Sequence, residues 1–362
     1  MLERYARFVV NNAAQVSSIE NGLRTLTYIL PGRFADAEVA SEAVYTLVNF
    51  IGTYHDGLLG KAAKRGLLVD KQGRPVDIEV SAFNRYHGKQ AQRSDIYRVA
   101  ALLLSALQFS EKLVEMVVAK RLGERARWRS VTWIEIVKAA LRMVLLQISG
   151  RRMVTGSVVQ ERMVDPGQLG SLRKGQKQPA ALQGQWRGGR SGVRFSGVRD
   201  ILSKSEGSAS LGGIVTDAVR HAENVAPMGA LVKPYGACGM AGELLFILRP
   251  LLYVLAMRRL GARSWRPWAG SLAAELVSRW LVARDLGASA GERSVEHDEV
   301  SRRKWLFLYY LLRSPFFDRF TRGRLERVAN WCSNKPLLSL VGSLIQDYQP
   351  LWKQYYFYTA AS

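Results

Sequence analysis

A chain of 362 residues with 48% hydrophobic side chains has ample material for a core, which excludes disorder over its whole length. Its 52 Lys and Arg against 30 Asp and Glu give a formal charge of +22, a field that attracts polyanions: nucleic acid, an anionic membrane surface or an acidic protein. The two cysteines, Cys238 and Cys332, stand far apart with no His or Cys at ligand spacing, which excludes a disulfide framework and a zinc finger; both are expected to be buried thiols.

The opening Met1-Leu2-Glu3-Arg4 leads into no apolar run, so no secretory signal is expected. Residues 1–149 read as helices with short breaks. Pro31-Gly32 is a stop signal, and Asp36 is placed as the N-cap of a helix with Val44, Leu47, Val48, Ile51 and Leu58 on one face. A basic, glycine-containing loop follows, carrying Lys61, Lys64, Arg65, Lys71 and Arg74. Ser94 is placed as the cap of a long helix with Ile96, Val99, Leu103, Leu107, Val114 and Val117. Thr132 to Ser149 repeats Ile134, Val137, Leu141, Val144, Leu145 and Ile148 at helical spacing. Glu135, Lys138 and Arg142 form a separate stripe in which Glu135 can pair with Lys138.

Residues 150–205 differ in kind, with ten glycines, few regular apolar repeats and a net charge of +8. They are expected to be a flexible basic linker. Gly170 to Gly175 resembles the start of a phosphate loop, but Gln176 and Lys177 stand where Lys and Ser or Thr are required.

From about residue 207 helical patterns return. Gly239 to Leu260 is expected as one apolar helix or a pair bent at Pro250, with Arg249 inside it. A charge at the centre of a bilayer costs on the order of 3 kcal/mol, so neither Thr132–Ser149 nor Leu244–Met257 is a clean span by hydropathy. Trp265-Arg266-Pro267-Trp268 is read as a turn before a helix over Ser271–Leu286, and Glu292 to Glu299 as an exposed charged loop or cap. Trp305–Leu312 is a helix that Pro315 ends. Two shorter helices and an aromatic tail follow, with Tyr348, Trp352, Tyr355, Tyr356, Phe357 and Tyr358 suited to a membrane interface or to docking on the core.

Chemistry is not legible. His55, His87, His221 and His297 stand apart from one another, and no nucleophile elbow, metalloprotease motif or dinucleotide fingerprint occurs. No catalysis, metal or cofactor is expected. The fold class is all-α: a helical region over 1–149 and another over 206–362, joined by the linker. The function read from these features is recruitment at a membrane surface. An RNA-binding protein is the alternative, carried by the charge and by Trp186-Arg187-Gly188-Gly189-Arg190, although no nucleic-acid partner is expected.

Four stretches, in order, resemble one family. Leu23 to Asp36, with Pro31, Gly32, Arg33, Phe34 and Asp36, resembles the N-terminal signature of the peroxin-16 peroxisomal membrane proteins. Trp265, Pro267 and Trp268 resemble their central element. Leu308 to Phe320, with Arg313, Ser314, Pro315, Phe316, Asp318, Arg319 and Phe320, resembles their most distinctive block, and Trp352 to Tyr358 their tail. The resemblance implies a peroxisome biogenesis factor that helps bring the docking receptor peroxin-3, and through it cargo-laden peroxin-19, to the peroxisomal or ER membrane. In some organisms the family instead influences peroxisome size or division. It further implies two membrane segments, near Thr132–Ser149 and Leu244–Met257, and cytosolic termini. A basic targeting stretch would correspond to Lys61, Lys64, Arg65, Lys71 and Arg74.

Overall fold

The computed structural model describes residues 2–30, 36–64, 68, 80–169, 186–187, 194–195, 232–261, 263–287, 295–333, 335 and 338–351. Pro31, Gly32, Arg33, Phe34, Arg65, Lys71, Arg74, the Gly170–Gly175 run, Glu292–Ser294 and the tail from Trp352 lie outside these residues, as does the side chain of Lys64.

The described fold is all-α. The helices are α1 (Leu2–Asn11), α2 (Ala13–Ile29), α3 (Ala37–Lys64), α4 (Ala82–Arg93), α5 (Asp95–Ile148), α6 (Ala237–Leu260), α7 (Trp265–Leu286), α8 (Val295–Leu306), α9 (Arg322–Ser333) and α10 (Ser339–Leu351). A 3-10 turn over Phe307–Leu312 and a π-helical turn over Phe317–Thr321 link α8 to α9. A two-residue strand pair joins Trp186 to Phe195 and Arg187 to Arg194, and an isolated antiparallel bridge joins Arg152 to Pro234.

Local chemistry explains the boundaries. Ser94 has extended backbone angles, and its side chain accepts from the Tyr97 N–H, so it caps α5 as the sequence predicts. Gly123, at φ 80°, interrupts the helical path of α5 with a conformation that favours glycine. At Asp36 the expected cap is realised only through the backbone. Its carbonyl accepts from Ala40 N–H at 3.0 Å, while its carboxylate pairs with Lys120. The residues read as a turn at Trp265–Trp268 instead begin α7. Ser264 caps that helix by accepting from Arg266 N–H, and Pro267 sits in the first turn, where its missing donor costs nothing. Glu296 and Glu299, read as solvated, are buried on α8. Cys332 is buried as expected, but Cys238 is exposed.

The chain divides into two compact units. The first comprises Met1–Asn21, Ile51–Gly88 and Gln160–Leu231. Its core gathers Ala13, Leu59, Ala62, Ala63, Leu68, Val164 and Leu169. Beside it Arg162 ties α2 to α3, donating to Asp56 at 2.5 Å, Ser17 at 2.8 Å and Glu20 at 3.1 Å. Burial alone would lower the Arg162 pKa, but hydrogen bonds to Asp56 and Glu20 raise it above its ordinary value.

The second unit comprises Gly22–Phe50, Lys89–Val159 and Val232–Ser362. Its main core joins Tyr97, Leu104, Ala139, Leu145, Leu146, Val154, Val158 and Ile247, so α5 and α6 lie against each other. A second cluster of Val131, Tyr253, Val254 and Met257 extends the same contact. Helices α6 and α7 approach closely at Gly242. A Cβ there would come within 2.9 Å of both Leu281 Cβ and the Ser278 carbonyl, and the Ser278 hydroxyl donates to the Gly242 carbonyl at 2.8 Å. Residues 150–169, the first part of the expected linker, are packed in these cores through Val154, Val158, Val164 and Leu169.

Candidate functional site

Stretches of three helices in the second unit invert the usual distribution of polarity. On α5 between residues 133 and 148 the exposed positions are Trp133, Ile136, Val137, Ala140, Val144 and Gln147, while Glu135, Lys138 and Arg142 are all buried. On α6 from 241 to 257 the exposed positions are Ala241, Leu252 and Leu255, and both charges, Glu243 and Arg249, are buried. On α7 Ser271, Glu275 and Ser278 face inward, while Leu276, Val277 and Trp280 face outward, with Trp280 59% exposed. Charge lies inside and hydrocarbon outside, the arrangement of helices that turn their polar residues away from lipid. Helix α6 is long and apolar enough to cross a membrane by length and composition, with a mean hydropathy of 1.7 in its best window, half of which is buried.

Lys138, Arg249 and Glu243 among the inward charges have ion-pair partners. Lys138 donates to Glu135 at 3.0 Å, the pair expected from the sequence, and also to Glu111 at 2.7 Å. Arg249 on α6 pairs with Glu275 on α7. Arg303 on α8 is the hub. It donates to both Glu243 oxygens at 2.8 Å, to Glu299 at 3.0 Å and to the Val154 carbonyl at 2.9 Å. Its guanidinium lies 3.9 Å from the Phe246 ring centroid. Burial would lower the Arg303 pKa, but the charges of Glu243 and Glu299 raise it. Burial would likewise raise Glu299, yet hydrogen bonds from Arg302 and the charge of Arg303 hold it below the usual carboxylate value. No local pattern marks this hub, because Glu243 and Arg303 are 60 positions apart.

Two of the family-like blocks meet in an aromatic corner of this unit. Trp268 Nε1 donates to the Tyr310 carbonyl at 3.1 Å, and its ring stacks on Phe316 at 5.8 Å and 9°. Trp265 meets Trp268 edge-on at 5.5 Å, and Phe316 packs on Phe320 at 4.9 Å. The Tyr310 hydroxyl donates to the Ser271 carbonyl at 3.0 Å. Arg313 is buried over the Tyr310 and Tyr253 rings, and Ser314 donates to Asp318 at 2.7 Å. The Ser314–Pro315 bond is cis. Pro267 and Pro315 are buried beneath the corner, while Trp265, Arg319 and Phe320 are exposed. Of the basic stretch, Lys61 is exposed near the end of α3, where Lys64 closes the helix.

In the first unit His55, read from sequence as isolated, joins a buried chain. Its Nδ1 lies 2.6 Å from Glu20 and its Nε2 2.7 Å from the Tyr5 hydroxyl. With Nδ1–H donated to Glu20, Nε2 accepts from Tyr5, so the trio staples α1, α2 and α3. No cluster of His, Cys, Asp and Glu able to hold a metal occurs among the described residues.

Comparison with known proteins accounts for the ordered blocks. A family model described as "Peroxisomal membrane protein (Pex16)" matches residues 3–354. The chain is 25% identical to the "Peroxisome biogenesis protein 16" of Arabidopsis thaliana over 96% of both chains. It is 20% identical to the "Peroxisomal membrane protein PEX16" of Schizosaccharomyces pombe, covering 89% of this chain and 88% of that one. A shorter match, 33% identical over 33% of this chain and 31% of its relative, is to the "Peroxisome biogenesis factor 16" of Dictyostelium discoideum. No solved structure matches. With a match that runs through both units, the chain belongs to the Pex16 family of peroxisomal membrane proteins, the peroxisome biogenesis factors.

Proposed function

We propose that this peroxisome biogenesis factor seats the outer faces of α5, α6 and α7 in the hydrocarbon of the peroxisomal membrane, reached directly or through the ER, and from there recruits other assembly factors. Its partners are a peroxin-3-type docking receptor and, through it, a cargo-carrying peroxin-19-type chaperone. One observation carries the membrane reading: every charge on the relevant stretches of α5 and α6 is turned inward, and the outward residues are apolar or uncharged. Trp133, Ile136, Val137, Val144, Leu252, Leu255, Leu276, Val277 and Trp280 are all exposed. At 1.5–3 kcal/mol for full burial of each such side chain, lipid contact over these half-exposed faces contributes on the order of 10 kcal/mol, comparable with the stability of a whole domain. Water is therefore a poor solvent for this surface.

The basic residues Lys61, Lys64, Arg65, Lys71 and Arg74 serve as the targeting element, drawn to anionic headgroups at about 1 kcal/mol per cation. The glycine-rich basic stretch after Leu169 tethers the residues on either side of it, and both termini face the cytosol.

Alkaline carbonate extraction of membranes carrying the chain tests the seating. The wild type is expected in the pellet, and the Val137→Lys/Leu255→Lys/Trp280→Lys variant shifts to the supernatant; wild type in the supernatant refutes the reading. Liposomes bearing the chain are then expected to capture purified peroxin-3-type receptor, and the chaperone only when the receptor is present. Equal capture by bare liposomes refutes the recruitment step.

A further inference from the structure

At one end of the apolar α5–α6 pair lies a cleft of about 390 Å³, lined by Arg125, Trp128 and Arg129 of α5 and Met257 and Arg258 of α6. We propose that this cleft is a binding site for the phosphate headgroup of an anionic phospholipid. The proposal rests on the reading in which the outer faces of these helices meet lipid.

The lining is one-sided in charge. Its three ionic groups are guanidiniums, and no carboxylate lines it. Among the described residues Arg125 and Arg129 have no ion pair or hydrogen-bond partner. Arg258 spends one NH group on Thr132 Oγ1 at 3.0 Å, which fixes its stem and leaves the rest of its fork available. Two acids of the same helix are engaged with Arg127. Glu124 gives both oxygens to Arg127, at 3.0 and 3.1 Å, and Glu115 accepts from Arg127 Nε at 2.9 Å. Planar forks converging without a counter-ion suit a tetrahedral oxyanion.

The floor and the location select the source of that oxyanion. Trp128 packs against the Val131, Tyr253, Val254 and Met257 cluster, so the cleft is apolar beneath and cationic above. Along α5 beyond Arg129 as far as Val144, about 22 Å at helical rise, no exposed residue is charged. Along α6 the exposed residues change from Leu252 and Leu255 to Arg258 and Arg259 within one turn. The arginines thus stand where an uncharged face ends, the depth of the headgroup layer beside acyl chains. A basic cleft for nucleic acid has no use for that adjoining apolar face. A phospholipid meets both, with its phosphate in the cleft and its chains along α5 and α6.

The full chain in phosphatidylcholine nanodiscs doped with phosphatidylglycerol, released into detergent and read by native mass spectrometry, is expected to retain phosphatidylglycerol over phosphatidylcholine. Arg129→Gln/Arg258→Gln is expected to lower that retention at least roughly tenfold, with carbonate-resistant membrane association unchanged. The control Arg121→Gln/Arg259→Gln alters exposed arginines outside the cleft and is expected to keep the preference. Four results overturn the proposal: no preference in the wild type, an unchanged preference in the cleft variant, equal loss in the control, or displacement of the lipid by inorganic phosphate or by RNA at equal charge. A cleft variant that falls into the carbonate supernatant is judged instead by Arg129→Lys/Arg258→Lys, which keeps the charge. Retained preference in that variant supports the site, and lost preference overturns it. Release of the wild type itself by carbonate strikes the membrane reading rather than the headgroup site.

Discussion

Arg303→Met removes a guanidinium that is 4% exposed and replaces it with an apolar side chain of similar length. The consequence falls on Glu243, which is fully buried. It loses two hydrogen bonds of 2.8 Å and its counter-ion, and keeps only Val154 N–H at 3.1 Å and the Tyr235 hydroxyl at 3.4 Å. Glu299 is spared, because Arg302 still donates to both of its oxygens. Stranding one buried charge costs about 3–5 kcal/mol. At 2–4 °C per kcal/mol for a unit of this size, the unfolding midpoint of the second unit is expected to fall by roughly 10 °C. Adding Glu243→Gln neutralises the stranded carboxylate and is expected to restore about half of the loss or more. Thermal unfolding of the full chain in lipid nanodiscs, followed by limited proteolysis, measures both. A loss below about 1 kcal/mol in the single variant, or a double variant no better than the single one, refutes the hub's role.

Three further outcomes follow from the same geometry. Gly242→Ala forces a methyl group into the Leu281 and Ser278 contact and is expected to cost about 1–3 kcal/mol, whereas Gly270→Ala on α7 meets nothing within 4 Å and is expected to be neutral or stabilising in the same melt. Glu299 has its folded pKa held below the usual 4.5, so its contribution is complete above that value and is lost as pH falls through the folded value. Burial raises Glu115 and Glu296, whose contributions run the other way, so the test is a difference: Glu299→Gln is expected to show a flatter acid limb than wild type in pH-dependent melts. Charge reversal at Lys61, Lys64 and Arg65 is expected to weaken delivery to the peroxisomal membrane, scored by fluorescence microscopy, and unchanged localisation counts against the targeting role.

What the sequence disclosed and what it hid divide along distance. Ser94, the apolar helix ending at Leu260 and the stripe of Glu135, Lys138 and Arg142 all depend on neighbours within about a turn, and periodicity reveals such features. The stripe's meaning was hidden. By composition three charges argue against lipid, and only the fold shows that they point inward to Glu111 and to one another's surroundings. Glu296 and Glu299 looked solvated because they sit in a run of charges. Lys233 N–H, 63 positions away, and Gly156 N–H, 143 positions away, are what bury them. Val154, Val158, Val164 and Leu169 were hidden among glycines because an irregular packed segment has no period. The family-like blocks were legible as words, but the stacking of Trp268 on Phe316 that gives two of them a common purpose spans two helices and a turn.

The pairing of Glu243 with Arg303 also constrains the order of events in the life of the chain. Helix α6 leaves the ribosome carrying a carboxylate whose partner has not yet been made, since Arg303 follows 60 residues later. Arg249 is satisfied sooner, once α7 supplies Glu275. Delivering α6 alone to hydrocarbon exposes both ions, and delivering the α6–α7 hairpin still exposes one. The segment from α6 through α8 is therefore a single cargo, competent to leave water only after its translation is complete. A peroxisomal membrane protein paired in this way arrives late and in one piece.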